Sequence, residues 1–343
     1  MRAFVTGSTG LIGSHLVLEL LKQGNHVTCL RRKHTDLSAI HRLFVYHQAN
    51  DLYKKIVWVE GDVLDIHSLM KGMQNIDYVY HCAGYVSFDD ANREKLLAIN
   101  VTGSANVVNA ALEANIKKLC FVSSTAALGE AKNNEVISEN NVWSETKNTS
   151  IYSISKHYAE REAWRASEEG LDVVIVCPSV VIGPGDWEKS SMTLFNTVSK
   201  GLLFYTEGSN GFVDVRDVAS AMIQLQESDI KNERFLLISE NKSFREVLDT
   251  IADKLNKPSP KYKAGKLLAG IAWRIFYLYS LLKGQESTIN KNTAASALRK
   301  TRYSNEKIKS VLALNFRTVD EAVEYTSAVF LNTKQANINS TLT

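Results

Sequence analysis

The 343-residue sequence is short of several things that would have directed its reading elsewhere. It has four cysteines, Cys29, Cys82, Cys120 and Cys177, and no two are close enough to form a CxxC motif. That excludes a dithiol redox motif or a paired-cysteine zinc site, and it suits small apolar core residues in a reducing, cytoplasmic setting. No HxxxH or HExxH pair accompanies the adjacent His81 and Cys82, so no metal is expected. The net charge is only +3 and no Lys/Arg-rich block is present, which argues against a nucleic-acid partner. No apolar run reaches the ~20 residues a bilayer demands. The longest, Leu267 to Leu282, carries Arg274 near its middle and reads as a buried or amphipathic helix rather than a membrane span. Met1 leads directly into an apolar strand without a signal-peptide pattern. Neither an internal repeat nor a low-complexity linker is found.

What is present is an ordinary globular balance, 45% hydrophobic and 22% charged. Short apolar runs alternate with amphipathic stretches. Strands are expected at Ala3–Thr6, His26–Leu30, Ile56–Glu60, Asp77–His81, Lys118–Ser123, Asp172–Cys177 and Arg234–Ile238. Helices are expected at Leu11–Gln23, His67–Met73, Arg93–Asn115 and Ser150–Glu168. Such alternation calls for an α/β fold, a doubly wound parallel sheet of Rossmann type with helices on both faces. After Pro178 the pattern changes. Segments 179–210 and 241–330 read as a smaller, mostly helical substrate-binding lobe, with 211–240 returning to the cofactor-binding domain of residues 1–178. The polar tail, 332–343, is expected to be disordered.

Thr6, Gly7, Ser8, Thr9, Gly10, Leu11, Ile12 and Gly13 fill the turn between the first strand and the first helix. A dinucleotide pyrophosphate needs close backbone approach, N–H donors and a helix N-terminus. Gly7 permits the tight turn, Gly10 removes a side chain that would block the phosphate, and Gly13 lets the helix pack on the sheet. The GxxGxxG spacing resembles the extended short-chain dehydrogenase/reductase superfamily. So do Gly61-Asp62, His81 to Gly84, Asn100 to Gly103, Ser123-Ser124, Tyr152 to Lys156, Pro178 to Gly185 and Phe212 to Ala219. The likeness covers Met1 to about Phe330. It implies a nicotinamide cofactor held by Thr6, Gly7, Thr9, Gly10, Leu11, Ile12, Gly13, Asp62, Val63, Cys82, Ala83, Gly84, Tyr152, Lys156, Pro178, Val180 and Val181.

Tyr152 and Lys156 lie four positions apart on an expected helix, so they share one face. Hydride transfer to a carbonyl needs a proton for the nascent alkoxide, and a neighbouring ammonium is expected to lower the phenol pKa toward the working range. By resemblance Lys156 also bonds the nicotinamide ribose, Asn100 shapes the active-site helix, and Ser124 bonds the substrate oxygen. Ser123 and Thr125 are close enough to exchange roles with Ser124. His81 reads as a packing or hydrogen-bonding residue.

The expected activity is that of an NADP-dependent carbonyl reductase or alcohol dehydrogenase acting on a fairly apolar small molecule, as in the dihydroflavonol-reductase and 3β-hydroxysteroid-dehydrogenase branch. The segment from Cys177 to Pro184 carries aliphatic residues where many nucleotide-sugar enzymes carry an Asn and a Tyr. A nucleotide-sugar epimerase or dehydratase is the alternative, with Arg274, Arg299 and Arg302 as phosphate ligands; a cofactor-sensing protein without catalysis is a third. NADP is favoured over NAD because Arg31, Arg32 and Lys33, not an acid, end the second strand. A homodimer is an open alternative to a monomer.

Overall fold

The computed structural model describes residues 1–130, 135–147, 149–265 and 295–341. The apolar stretch Leu267 to Leu282, with Trp273, Arg274, Tyr277 and Tyr279, lies outside the described residues.

Seven strands form one all-parallel sheet: β1 (Arg2–Thr6), β2 (His26–Arg31), β3 (Val57–Glu60), β4 (Tyr78–His81), β5 (Lys118–Val122), β6 (Asp172–Pro178) and, later in the chain, Glu233–Leu237. From one edge the order is Glu233–Leu237, β6, β5, β4, β1, β2, β3. The order reverses between β1 and β4, where Thr6 pairs with His81. Ligands of such sheets bind beyond the carboxyl ends of the strands at that reversal. The central strands are buried on both faces, which is why β5 and β6 read as nearly unbroken apolar runs. Helices Leu11–Lys22 and Val215–Glu227 cover one face, burying Leu16, Val17 and Leu20 with Ala219 and Met222. Helices Ile66–Gly72, Gly103–Glu113 and Ile151–Glu168 cover the other, around Phe4, Phe121 and Ile175.

Three expectations are corrected. The run Arg93–Asn115 is not one continuous α-helix. It is α-helical at Arg93–Leu97 and Gly103–Glu113, with a wider π turn at Ala98–Thr102 that holds Asn100. Nor is the lobe after Pro178, expected to be mostly helical, built from helices alone. Strands β7 (Val180–Ile182), β9 (Ser209–Asp214) and β11 (Glu240–Ser243) form a three-stranded sheet in the order β11-β9-β7, while β8 (Phe204–Tyr205) pairs with β12 (Tyr262–Lys263). The main-sheet strand Glu233–Leu237 is thus β10. Finally, the helix from Val319 runs to Thr341, so backbone expected to lack regular structure is helical. Helix geometry satisfies those peptide groups locally, which a polar composition permits.

Candidate active site

Because every main-sheet strand runs the same way, Thr6, Arg31, Asp62, Cys82, Ser124 and Pro178 all fall at or just beyond strand carboxyl ends, along one edge of the sheet. The glycine turn occupies its middle. Gly7 has φ +65, and a Cβ there would meet the Cys82–Ala83 peptide at 2.5 Å. A Cβ on Gly13 would lie 2.2 Å from the Gly7 carbonyl oxygen. Gly10 differs: its Cβ would touch only that carbonyl, at 3.3 Å, and otherwise project into open space above the helix N-terminus. Two glycines thus serve packing and the third keeps the space over the turn clear, which suits an anion at a helix N-terminus.

The turn is tied to its neighbours by polar contacts. Ser8 donates to the Leu30 carbonyl on β2. The Thr6 hydroxyl bonds His81 Nδ1 at 2.7 Å and accepts from Ala83 N at 3.2 Å. His81 Nε2 meets Ser104 Oγ at 3.0 Å, and Ser104 donates to the Asn100 carbonyl. One tautomer satisfies the whole chain, with Nε2 protonated. Burial holds the His81 pKa down to about 3, so this histidine stays neutral and structural.

Lys156 and Asn100 converge beside Gly84, and Tyr152 lies one turn earlier on the Lys156 helix. Ser150 caps the helix Ile151–Glu168, accepting from Ser153 N. The half-buried Tyr152 ring packs against Phe88, ring centroids 5.4 Å apart, and its phenol lies near the Ser124 hydroxyl. Lys156 is buried and donates from Nζ to the Val122 carbonyl at 2.8 Å. Asn100 donates to Ser155 Oγ and to the Tyr85 carbonyl, and accepts from Tyr85 N at 2.7 Å. A Cβ at Gly84 would lie 3.6 Å from Asn100 Oδ1 and 4.0 Å from Lys156 Nζ, so these groups converge. The π turn is what carries the Asn100 side chain to this point.

Two expectations about these groups change. The three candidates Ser123, Ser124 and Thr125 are placed apart. Ser123 is buried and donates to Glu160 Oε2 at 2.5 Å, Thr125 lies near the partly buried Tyr303 phenol, and Ser124 lies near Tyr152. The Tyr152 pKa is raised, not lowered. Burial pushes it up, the nearby Ser124 hydroxyl partly offsets this, and the Lys156 ammonium is engaged with a backbone carbonyl. Lys156 itself is lowered to about 8, chiefly by burial.

Arg31 is half-buried, with its guanidinium carbon 5.9 Å from the Trp58 ring centroid and its Nε buried without a hydrogen-bond partner. Arg32 and Lys33 are exposed. Asp62 Oδ1 accepts from Leu64 N, and Val63 packs against Gly103 while its carbonyl accepts from Asn106. Thr9, Leu11 and Ile12 line the turn, partly buried, and Val180 and Val181 sit on the small sheet beside Pro178. Sequence reading missed Phe88, whose only signal is an aromatic in the loop after Gly84, and Tyr303, which lies far along the chain. Among the described residues no group of three or more His, Cys, Asp or Glu is placed to hold a metal, and no helix is long and apolar enough to cross a membrane.

The profile of the NAD dependent epimerase/dehydratase family matches residues 3–237. Sterol demethylase protein B of Methylococcus capsulatus is 27% identical over 277 residues, covering 79% of this chain and 80% of that protein. Cinnamoyl-CoA reductase 1 of Petunia hybrida is 32% identical over 242 residues, 68% of this chain and 71% of the relative. The solved UDP-glucose 4-epimerase of Thermotoga maritima, 18% identical, superposes over 97% of this chain and 99% of its own with a TM-score of 0.77, a likeness of fold. Together with the glycine turn and the convergence of Ser124, Tyr152, Lys156 and Asn100, the match over residues 3–237 identifies the chain as an NAD(P)-dependent oxidoreductase of the extended short-chain dehydrogenase/reductase type, a member of the NAD-dependent epimerase/dehydratase family.

Proposed function

We propose that the protein is an NADP-dependent carbonyl reductase, or alcohol dehydrogenase in reverse, acting on a fairly apolar small molecule. The observation that carries this reading is the setting of Tyr152: a phenol near the Ser124 hydroxyl and walled by Phe88, one helical turn from Lys156. A nicotinamide dinucleotide, bound with its pyrophosphate over the glycine turn, would supply the hydride to the carbonyl carbon. Tyr152 gives its phenolic proton to the oxygen that becomes the alcohol, and its raised pKa keeps that proton in place over the physiological range. Ser124 donates a hydrogen bond to the same oxygen. Lys156 holds the ribose and keeps a positive charge under the phenol. Asn100 fixes the Tyr85 peptide and Ser155 around them.

For the cofactor, the guanidinium of Arg31 stands at the β2 end where NAD enzymes place a carboxylate, and a guanidinium offers paired N–H donors to a 2′-phosphate. We assign substrate recognition to segments 179–210 and 241–330. Aliphatic Val180, Val181 and Ile182 support an apolar ligand over a sugar diphosphate. Arg299, a candidate phosphate ligand for the epimerase alternative, is ion-paired with Glu130. The names of the two relatives, a cinnamoyl-CoA reductase and a sterol demethylase protein, support the same direction. The test is turnover of NADPH with a panel of apolar aldehydes and ketones beside calorimetric titration with UDP. Reduction of the carbonyl compounds without UDP binding is expected; tight UDP binding without competition from apolar ketones would reverse the ranking.

A further inference from the structure

One turn beyond Lys156, on the same helix face, Glu160 is 3% exposed and carries four contacts. Oε2 accepts from Ser123 Oγ at 2.5 Å and lies 3.6 Å from Cys177 Sγ. Oε1 accepts from Trp164 Nε1 at 3.2 Å and from Arg234 Nη1 at 2.8 Å. Arg234 comes from β10, two strands from β5, and its other nitrogen donates to the Glu139 carbonyl. From one helix face Lys156 thus bonds the Val122 carbonyl and Glu160 the Ser123 hydroxyl at the end of β5, with Tyr152 near Ser124.

A carboxylate buried this deeply is costly unless paired, and a packing role at this position needs only a hydrogen-bond acceptor. The charge therefore wants its own explanation. We propose that Glu160 is a positioning residue of the Ser124–Tyr152–Lys156 site, fixing the Ser123 end of β5 and supplying the negative charge that offsets Arg234 and supports the Lys156 ammonium. The proposal rests on the functional reading above for the role of Lys156. The other groups around Lys156 are neutral His81 and Cys82 at the end of β4, Cys177 on β6 and the Phe121 ring on β5. Among these described groups Glu160 is the carboxylate, and its influence on the lysine is to raise its pKa against the larger effect of burial.

The experiment is an NMR titration of the Lys156 side chain in uniformly labelled protein, assigned by Lys156→Met, in the parent and in two variants. Glu160→Gln keeps the shape and one acceptor oxygen, replaces the other oxygen with an amide donor, and removes the charge. Its Lys156 midpoint is expected about 1 pH unit below that of the parent, as loss of a neighbouring opposite charge produces. Arg234→Met leaves the carboxylate without its counter-ion and is expected to move the midpoint upward; it decides the matter if Glu160→Gln fails to fold. An unchanged midpoint in either folded variant overturns the proposal, since a merely structural Glu160 would move neither. The pH at which NADPH binding weakens, followed by nucleotide fluorescence, is expected to track the midpoint in each variant. Midpoints that shift while NADPH binding does not follow would leave the Glu160–Lys156 coupling standing and overturn the cofactor role given to Lys156.

Discussion

The guanidinium of Arg31 lies against the ring of Trp58, 5.9 Å from its centroid, across neighbouring strands β2 and β3. The contact holds a cation at the strand end and leaves Nε without a partner. Arg31→Ala is expected to lower kcat/KM with NADPH by roughly tenfold to a hundredfold, the worth of one or two charge-assisted bonds, and to leave NADH nearly unaffected. Trp58→Leu, which removes the ring but not the charge, should lower it less. Equal or better turnover with NADH in the parent would defeat the NADP assignment. A preference that survives Arg31→Ala would move the role to the exposed Arg32 or Lys33.

Tyr152→Phe removes one hydroxyl and keeps the packing against Phe88. Turnover is expected to fall on the order of 10²–10⁴-fold, the usual worth of a general acid. The dissociation constant for NADPH and the thermal unfolding midpoint should stay close to the parent's. Parent-like turnover in this variant would remove Tyr152 from the mechanism.

What was legible in the sequence is what depends on local pattern. Hydrophobic alternation marked every strand of the main sheet to within a residue or two. The glycine turn and the four-residue spacing of Tyr152 and Lys156 marked the site, because each needs only neighbours along the chain. The π turn at Ala98–Thr102 was not legible: its residues suit an ordinary helix, and the wider turn is stabilised by Asn100 bonding Tyr85 and Ser155, contacts made in the fold. Strand β7 has only three residues, and β9 and β11 are largely polar, so periodicity does not separate them from loop. Ser123 and Ser124 look alike in sequence. They part only in the fold, where the chain turns after β5 and sets one beside Glu160 and the other, capping the next turn, near Tyr152. Arg234 and Glu160, 74 positions apart, carry no mutual signal.

Two buried histidines make stability depend on acid. His15 bonds the Leu11 carbonyl through Nδ1 and the Tyr325 phenol through Nε2, and burial lowers its pKa from 6.5 to about 4; His81 falls to about 3. Both folded values lie below the unfolded one, so below pH 6.5 the unfolded chain binds the protons first. The stability is therefore complete above pH 6.5 and declines as pH falls toward 4. Each histidine should cost about 2 kcal/mol between pH 7 and pH 5. Urea unfolding at the two pH values measures the loss, and His15→Gln should reduce it by that amount. An identical loss in the variant would show that His15 protonates freely in the folded chain.

The last prediction separates two glycines of one turn. Gly13→Ala places a methyl 2.2 Å from the Gly7 carbonyl oxygen, a backbone atom that cannot step aside without moving the turn. It should lower unfolding free energy by roughly 1–3 kcal/mol, as overpacking does. Gly10→Ala meets only that same oxygen, at 3.3 Å, with a backbone φ of -80 that alanine adopts readily. Its stability should stay within about 0.5 kcal/mol of the parent's. The methyl nonetheless stands over the helix N-terminus, where the pyrophosphate must approach, so NADPH affinity should fall at least about tenfold, equivalent to 1.4 kcal/mol. Denaturant midpoints and NADPH titrations on both variants read the two effects separately. Unimpaired NADPH binding by Gly10→Ala would mean that the dinucleotide does not lie over this turn, and the placement of the cofactor along the sheet edge would have to be abandoned.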